Sequence, residues 1–211
     1  MATARRQQRQ RAWEAMTRSA IEEAVIRLLT KNGFQGFTME QVAAEAGVAK
    51  GTLYRHFESK ETLLDHVKEA SLAPLRKELE SILNADLGPQ EKIGELVAHQ
   101  LRYFDERRDL FRVLLEERQV AQLQRTRQQN SRYKYILGRI ASVVEEGMRI
   151  GVFRSLEAAK VAAMLFEASI AVIGQRLWSD HPAPWEEDAR FLVEVFVHGI
   201  AARPSSRERT T

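Results

Sequence analysis

The stretch "GFQGFTMEQVAAEAGVAKGTLYRHFESKETLL", residues 33–64, decides how the chain is read. Thr38 followed three residues later by Gln41 is a Thr-x-x-Gln capping box, so a helix starts there. Val42, Ala43 and Ala46 give that helix an apolar stripe, and Gly47 ends it. A third helix follows over about Ala49 to Phe57. Ser59 then caps a fourth, with Glu61 in the first turn where the helix dipole favours negative charge. Two short helices joined by a four-residue turn containing glycine form a helix-turn-helix. A helix of two turns is too short to be stable alone, so its neighbours must hold it.

The third helix is decorated on one side. Advancing about 100° per residue from Leu53 puts Ala49 and Phe57 within about 40° of the inward direction. Gly51 and Arg55 then point outward, Tyr54 and Thr52 flank them, and Lys50 lies one turn before Tyr54. His56 falls about 60° from the inward direction, where it either packs or contacts a partner. The outward set is rich in donors, bare at Gly51 and free of carboxylates. Phosphates and base edges suit such a surface: arginine pairs bidentately with guanine, and hydroxyls donate to phosphate. In this motif the second helix enters the major groove while the first rests on the backbone. The N-terminus of the second helix, at Thr38, is a natural phosphate seat.

Charge distribution agrees. The net charge is only +3, but residues 1–60 carry ten Lys/Arg against six Asp/Glu. The positive excess therefore sits where a polyanion would be met. The opening "MATARRQQRQR" holds four arginines and almost no apolar residue. It reads either as a frayed terminus or as a phosphate-contacting arm, and we take residues 1–12 as a basic, disordered arm. With no cysteine, disulfides, thiolate metal sites and cysteine nucleophiles are excluded. The arginines precede no apolar core of a secretory signal. The most apolar segment, Val161–Gly174, is interrupted by Glu167 and falls short of the roughly 18 residues of a membrane span. The expectation is a cytoplasmic protein with no membrane association.

The remaining sequence also reads as helix. The first helix covers about Trp13–Asn32, with Gly33 at its C′ position. The fourth ends at Pro74, and further helices cover 74–84, 89–106, 109–124, 129–150, 157–179 and 185–202, with Asp109 and Ser155 as N-caps. The fold class is all-α. An N-terminal helix-turn-helix, three-helix domain covers 13–70, a C-terminal helical ligand-binding and dimerisation domain covers 71–203, and the tail 204–211 is disordered.

Residues 18–66 closely resemble the DNA-binding domain of the TetR family of bacterial transcriptional regulators. The likeness is carried by Gly36-Phe37, the capping Thr38, the Ala46-Gly47-Val48 turn, Gly51-Thr52-Leu53-Tyr54 with Phe57 three residues on, and Ser59-Lys60-Glu61-x-Leu63-Leu64. Ala49 departs from the pattern, since the family often has serine as that N-cap; the loss is worth about 1 kcal/mol. The resemblance implies DNA contacts from Thr38, Met39, Lys50, Gly51, Thr52, Tyr54, Arg55, His56 and Lys60. It implies a homodimer on a palindromic, double-stranded DNA operator, and a small-molecule effector, unidentified, that relieves repression.

The C-terminal helices offer their own candidates. Helices 157–179 and 185–202 are apolar over more than one face, which exceeds what one core needs. Ala163, Ala171, Phe191, Val195 and Phe196 are expected in a dimer interface. For an effector cavity the candidates are His99, Gln100, Phe104, Phe111, Tyr133, Phe166, Glu167 and Trp178, although aromatic residues at helical spacing are more often plain core. No catalytic residue, metal or cofactor is expected: the five histidines lack metal spacing, and no phosphate loop or nucleophile elbow occurs. The acidic "SDHPAPWEED" reads as a solvated loop and a helix N-terminus. The leading reading is thus a ligand-responsive repressor. An activator or ligand-independent regulator of the same fold is the alternative, and an all-α protein interaction module is the alternative from another class.

Overall fold

Nothing in residues 2–12 breaks a helix: alanine, arginine and glutamine are strong helix formers. In the structure, a computed structural model describing residues 2–33, 36–116 and 131–200, the first helix accordingly starts well before Trp13. Helix α1 runs Ala2–Asn32. The expected disordered arm is helical because local propensity, not apolar periodicity, decides those turns. Every regular element among the described residues is a helix: α2 Met39–Glu45, α3 Lys50–His56, α4 Lys60–Asn84, α5 Pro89–Glu106, α6 Arg108–Glu116, α7 Ser131–Arg149, α8 Ala158–Trp178 and α9 Trp185–Ile200. The tail 204–211 and the expected helical residues 117–124 and 129–130 lie outside the described residues.

The chain divides into two compact units: Met1–Pro74 with Asp109–Glu117, and Leu75–Arg108 with Arg118–Thr211. Pro74 lies inside α4 rather than ending it. Proline removes one backbone donor and crowds the carbonyl four residues back. Buried Leu63, Leu64 and Val67 before it, and Leu75, Leu79 and Leu83 after it, nevertheless keep the helix continuous. The division between the units falls at this proline, a few residues beyond the expected boundary at 70.

In the first unit α1 packs on α2 and α2 on α3. Ile21, Ala24, Val25 and Leu29 of α1 join Val42, Leu53, Phe57 and Val67 in its core. Gly33, at φ +71°, and Gly47, at φ +65°, turn the chain in the left-handed region that glycine occupies at no steric cost. The capping box is present: Gln41 N–H donates to Thr38 Oγ1 at 3.3 Å, and Thr38 N–H to Gln41 Oε1 at 2.8 Å. Arg27 of α1 pairs with Glu45 of α2 at 2.8 Å, and His66 of α4 with Glu22 of α1 at 2.7 Å.

In the second unit α5 packs against α7, α8 and α9, and α7 against α8. Ile93, Val97 and Leu101 of α5 are wholly buried. Arg176 of α8 is 6% exposed. It donates to Ala183 O at 2.7 Å, to Asp188 Oδ2 of α9 at 2.5 Å and to Asp105 of α5. One buried guanidinium thus ties three helices to the proline-containing loop. Its charge is tolerable there because two carboxylates compensate it. Two expected caps differ: α6 already begins at Arg108, and the N-cap of α8 is Glu157 rather than Ser155.

Helix α8 holds the most apolar segment of the sequence. By length and composition alone it could cross a membrane, a test that the core helix of a soluble protein also passes, and 28% of its most apolar stretch is buried. The helix does not end at Gly174, where the apolar segment of the sequence stops; it continues to Trp178. Glu167 and Arg176 within it are engaged by Tyr133 and by the two aspartates.

Candidate nucleic-acid interface

Helix α3 is held by one buried side chain of its own, Leu53, and by Phe57 at its C-cap. Its N-cap, Ala49, makes no side-chain hydrogen bond. Gly51, Tyr54 and Arg55 are exposed and Thr52 is half-buried. Tyr54 keeps 40% of its surface in solvent, a large share for a residue with an apolar ring.

Gly51 is informative for what its surroundings lack. A Cβ built there meets nothing within 4 Å, and its φ is not in the left-handed region. Alanine would therefore fit, and would stabilise a helix interior by about 0.5–1 kcal/mol. The fold does not require the glycine.

Lys50 is spoken for within the unit. Its ammonium lies 2.5 Å from Glu40 Oε1 and 5.7 Å from the centre of the Tyr54 ring. The hydrogen bond from Lys50 holds the Glu40 carboxyl below its ordinary range, and the same bond raises Lys50. Both side chains stay more than half exposed. Glu40 is not among the residues expected at this surface, and its place in the first turn of the preceding helix was the available signal.

Other expected contacts are placed differently. Met39, at 7% exposure, belongs to the core and offers only backbone to a partner. It stands at the first position of α2, and Phe37, two residues earlier, is buried as well. Thr38 is exposed, and its hydroxyl oxygen caps α2. Nε2 of His56 is buried without a hydrogen-bond partner, so that nitrogen faces no solvent. Lys60, a DNA contact by the resemblance, donates to Phe37 O at 3.0 Å and sits 4.1 Å over the Phe37 ring. Its long stem and point charge staple the start of α4 to the residue preceding Thr38.

In the second unit an outward apolar face occupies α8 and α9. Met164 and Phe191 are each 64% exposed, Val195 52% and Trp178 47%. Ala171 is exposed, and Ala163 and Phe196 are half-buried. Met164, Ala171 and Trp178 are spaced seven apart, so they share one face of α8. Trp178, expected to line an interior cavity, is on this outer face instead, because the last turns of α8 face inward through Leu177 and Arg176.

The remaining effector candidates do not converge. Tyr133 donates to Glu167 at 2.8 Å and stands edge-on to Phe166 at 5.5 Å, so these three form one cluster between α7 and α8. Gln100 and Phe104 are buried in α5. His99 accepts from Arg102 through Nδ1 at 3.0 Å, which leaves the proton on Nε2, buried and without a partner. Burial holds its pKa below the ordinary value. Phe111 is fully buried but belongs to the first unit. A groove of about 570 Å³ opens between α5 and α9, lined by Gly94, Ala98, Trp185, Val193 and Val197 among others, and none of the candidates lines it.

Comparison with known proteins places both parts of the chain. Residues 21–67 match the model of bacterial regulatory proteins of the tetR family, and residues 86–173 match a tetracyclin repressor-like C-terminal domain. The HTH-type transcriptional regulator YhgD of Bacillus subtilis is 24% identical over 86% of this chain and 95% of its own. The fatty acid metabolism regulator protein of Bacillus subtilis is 20% identical over 85% of this chain and 93% of its own. A TetR transcription regulator from Haloarcula marismortui has the same fold, with a TM-score of 0.73 at 22% identity over 88% of this chain and 98% of that one. With the helix-turn-helix and the C-terminal helices both accounted for, the protein belongs to the TetR family and is a DNA-binding transcriptional regulator.

Proposed function

We propose that the protein is a homodimeric, effector-responsive repressor that reads a palindromic operator in the cytoplasm with α3, and that it is not an enzyme. The observation that carries this is the outward face of α3. Gly51 leaves it flat for no reason internal to the fold, and exposed Tyr54 and Arg55 stand beside it. Arg55 is the base-reading residue, while Tyr54, Thr52, Lys50 and the Thr38 end of α2 position the backbone. Two copies join through α8 and α9, whose apolar outer face suits a four-helix contact. An effector favours a dimer whose two α3 helices no longer fit successive major grooves. Half-sites are then about 34–36 Å apart, or a multiple of this.

The test is DNA binding to duplexes that flank its own coding region, in a salt titration. Arg55→Ala should cost about 1–3 kcal/mol of discrimination between sequences. Equal retention of all duplexes by wild type and variant would rule the reading out. For the effector, a long-chain acyl-CoA is the first probe, since one solved structure of similar fold, the transcriptional regulator FadR of Bacillus subtilis, is in complex with stearoyl-CoA. Release of bound operator on its addition supports that class.

A further inference from the structure

We propose that the first four turns of α1 form a second DNA-binding element, a helical arginine track that grips phosphates flanking the sequence read by α3; this rests on the DNA-binding reading above. Burial on α1 begins only at Thr17, followed by Ile21, Ala24, Val25 and Leu29. Of residues 5–16, all are exposed except half-buried Glu14. These twelve residues, roughly 18 Å of helix, therefore carry no core.

Such a stretch is marginal on its own, and its charges make it more so. Arg5 and Arg9 are four apart, Arg6 and Arg9 three apart, and no acidic residue occupies the first turn. Like charges at those spacings repel, and cations at a helix N-terminus oppose the dipole. Among the described residues, no carboxylate pairs with Arg5, Arg6, Arg9 or Arg11; Glu14 instead accepts from Gln10 at 3.2 Å. The placement works against the isolated helix and in favour of a polyanion.

Three of the four arginines share one side. Arg5, Arg9 and Met16 fall within about 40° of one another, with Arg6 and Trp13 inside about 100°, while Arg11 lies on the opposite side with Gln7, Gln10 and Glu14. Trp13 is 52% exposed and Met16 73%. A membrane-surface helix requires a continuous apolar face opposite its charges. Here the two apolar side chains sit within the arginine stripe and the opposite face is polar, so the charge complementarity is with DNA. The track belongs to the same compact unit as α3, to which Arg27–Glu45 and His66–Glu22 fasten α1. Docking both on one duplex is therefore a single event, with the second contact at high effective concentration.

The experiment compares the full chain with the variant R5Q/R6Q/R9Q/R11Q, since glutamine keeps helix propensity and removes charge. Affinity is measured for the operator-bearing duplex and an unrelated duplex across a salt series, alongside hydroxyl-radical footprints. Both affinities should fall together by at least about tenfold near 0.1 M salt, with their ratio unchanged. The salt slope should shrink by about 0.9 for each phosphate that the variant no longer neutralises, and protected backbone outside the α3 half-sites should become accessible. An unchanged slope and footprint, with wild type binding DNA, overturns the track while leaving the α3 reading intact. Loss of binding to phosphatidylserine-containing vesicles with DNA binding unchanged also overturns it, in favour of a membrane surface. Failure of the wild type to hold any duplex overturns both readings.

Discussion

The ammonium of Lys50, the first residue of α3, lies 2.5 Å from the carboxylate of Glu40 in the first turn of α2. The two helices of the motif are thus joined across their solvent face by an ion pair that a phosphate would have to compete for. Exposed pairs of this kind contribute little to stability, so its main consequence is for binding.

Glu40→Gln should therefore raise affinity for DNA several-fold at low salt, because it frees Lys50 and removes a negative charge from the approach. Fluorescence anisotropy with a labelled duplex measures this, and the melting temperature should hardly move. Weaker binding would show that the pair orients Lys50 instead of restraining it. Because the carboxyl is held below its ordinary 4.5, the pair persists at neutral pH and is lost only as pH falls through that lowered value.

Gly51→Ala should separate folding from function. With nothing within 4 Å of the added methyl, the fold gains about 0.5–1 kcal/mol in urea denaturation. The same methyl should weaken DNA binding at least several-fold. If stability and binding rise together, the flat surface has no close partner.

Arg176→Ala should be among the most destabilising changes in the second unit. It opens a gap and leaves Asp105 and Asp188 facing each other without their cation. Because those carboxylates remain about one third exposed, we expect the lower end of the range for breaking a buried pair, about 3 kcal/mol. Chemical denaturation checks this, and a loss under about 1 kcal/mol would mean the aspartates simply hydrate.

A charge placed on the outer face of α8 and α9, as Ala171→Glu or Val195→Glu, should yield monomers in light scattering with helix content intact. Both positions are already exposed within one chain, so neither substitution harms the monomer core. Dimers persisting in both variants would move the interface elsewhere.

His99 should make stability pH-dependent. Burial, assisted by the Arg102 charge, holds its pKa below 6.5, while Glu78, Glu95 and Glu106 pull it upward. A lowered folded value means the unfolded chain binds the proton more readily. Stability is therefore complete above about 6.5 and declines as pH falls through the lowered folded value. Denaturation midpoints of wild type should drop over that window, and His99→Gln should lessen the drop.

The sequence by itself determined what depends on near neighbours along the chain. The Thr38–Gln41 box, the glycines at 33 and 47, the break after Ala46 and the inward row through Leu53 and Phe57 are matters of three- and four-residue spacing. The one-sided dressing of α3 is legible for the same reason. Only the tertiary structure decided which partner each long side chain takes. Glu40 captures Lys50, Phe37 captures Lys60 and two aspartates capture Arg176, across 10, 23, 71 and 12 residues of chain. Periodicity marks an apolar face without saying what covers it, so Met39 proved to be core and Trp178 proved to be surface. Pro74 and the opening arginines show the converse. Packing on both sides carries α4 through its proline, and good helix formers extend α1 beyond its last buried residue.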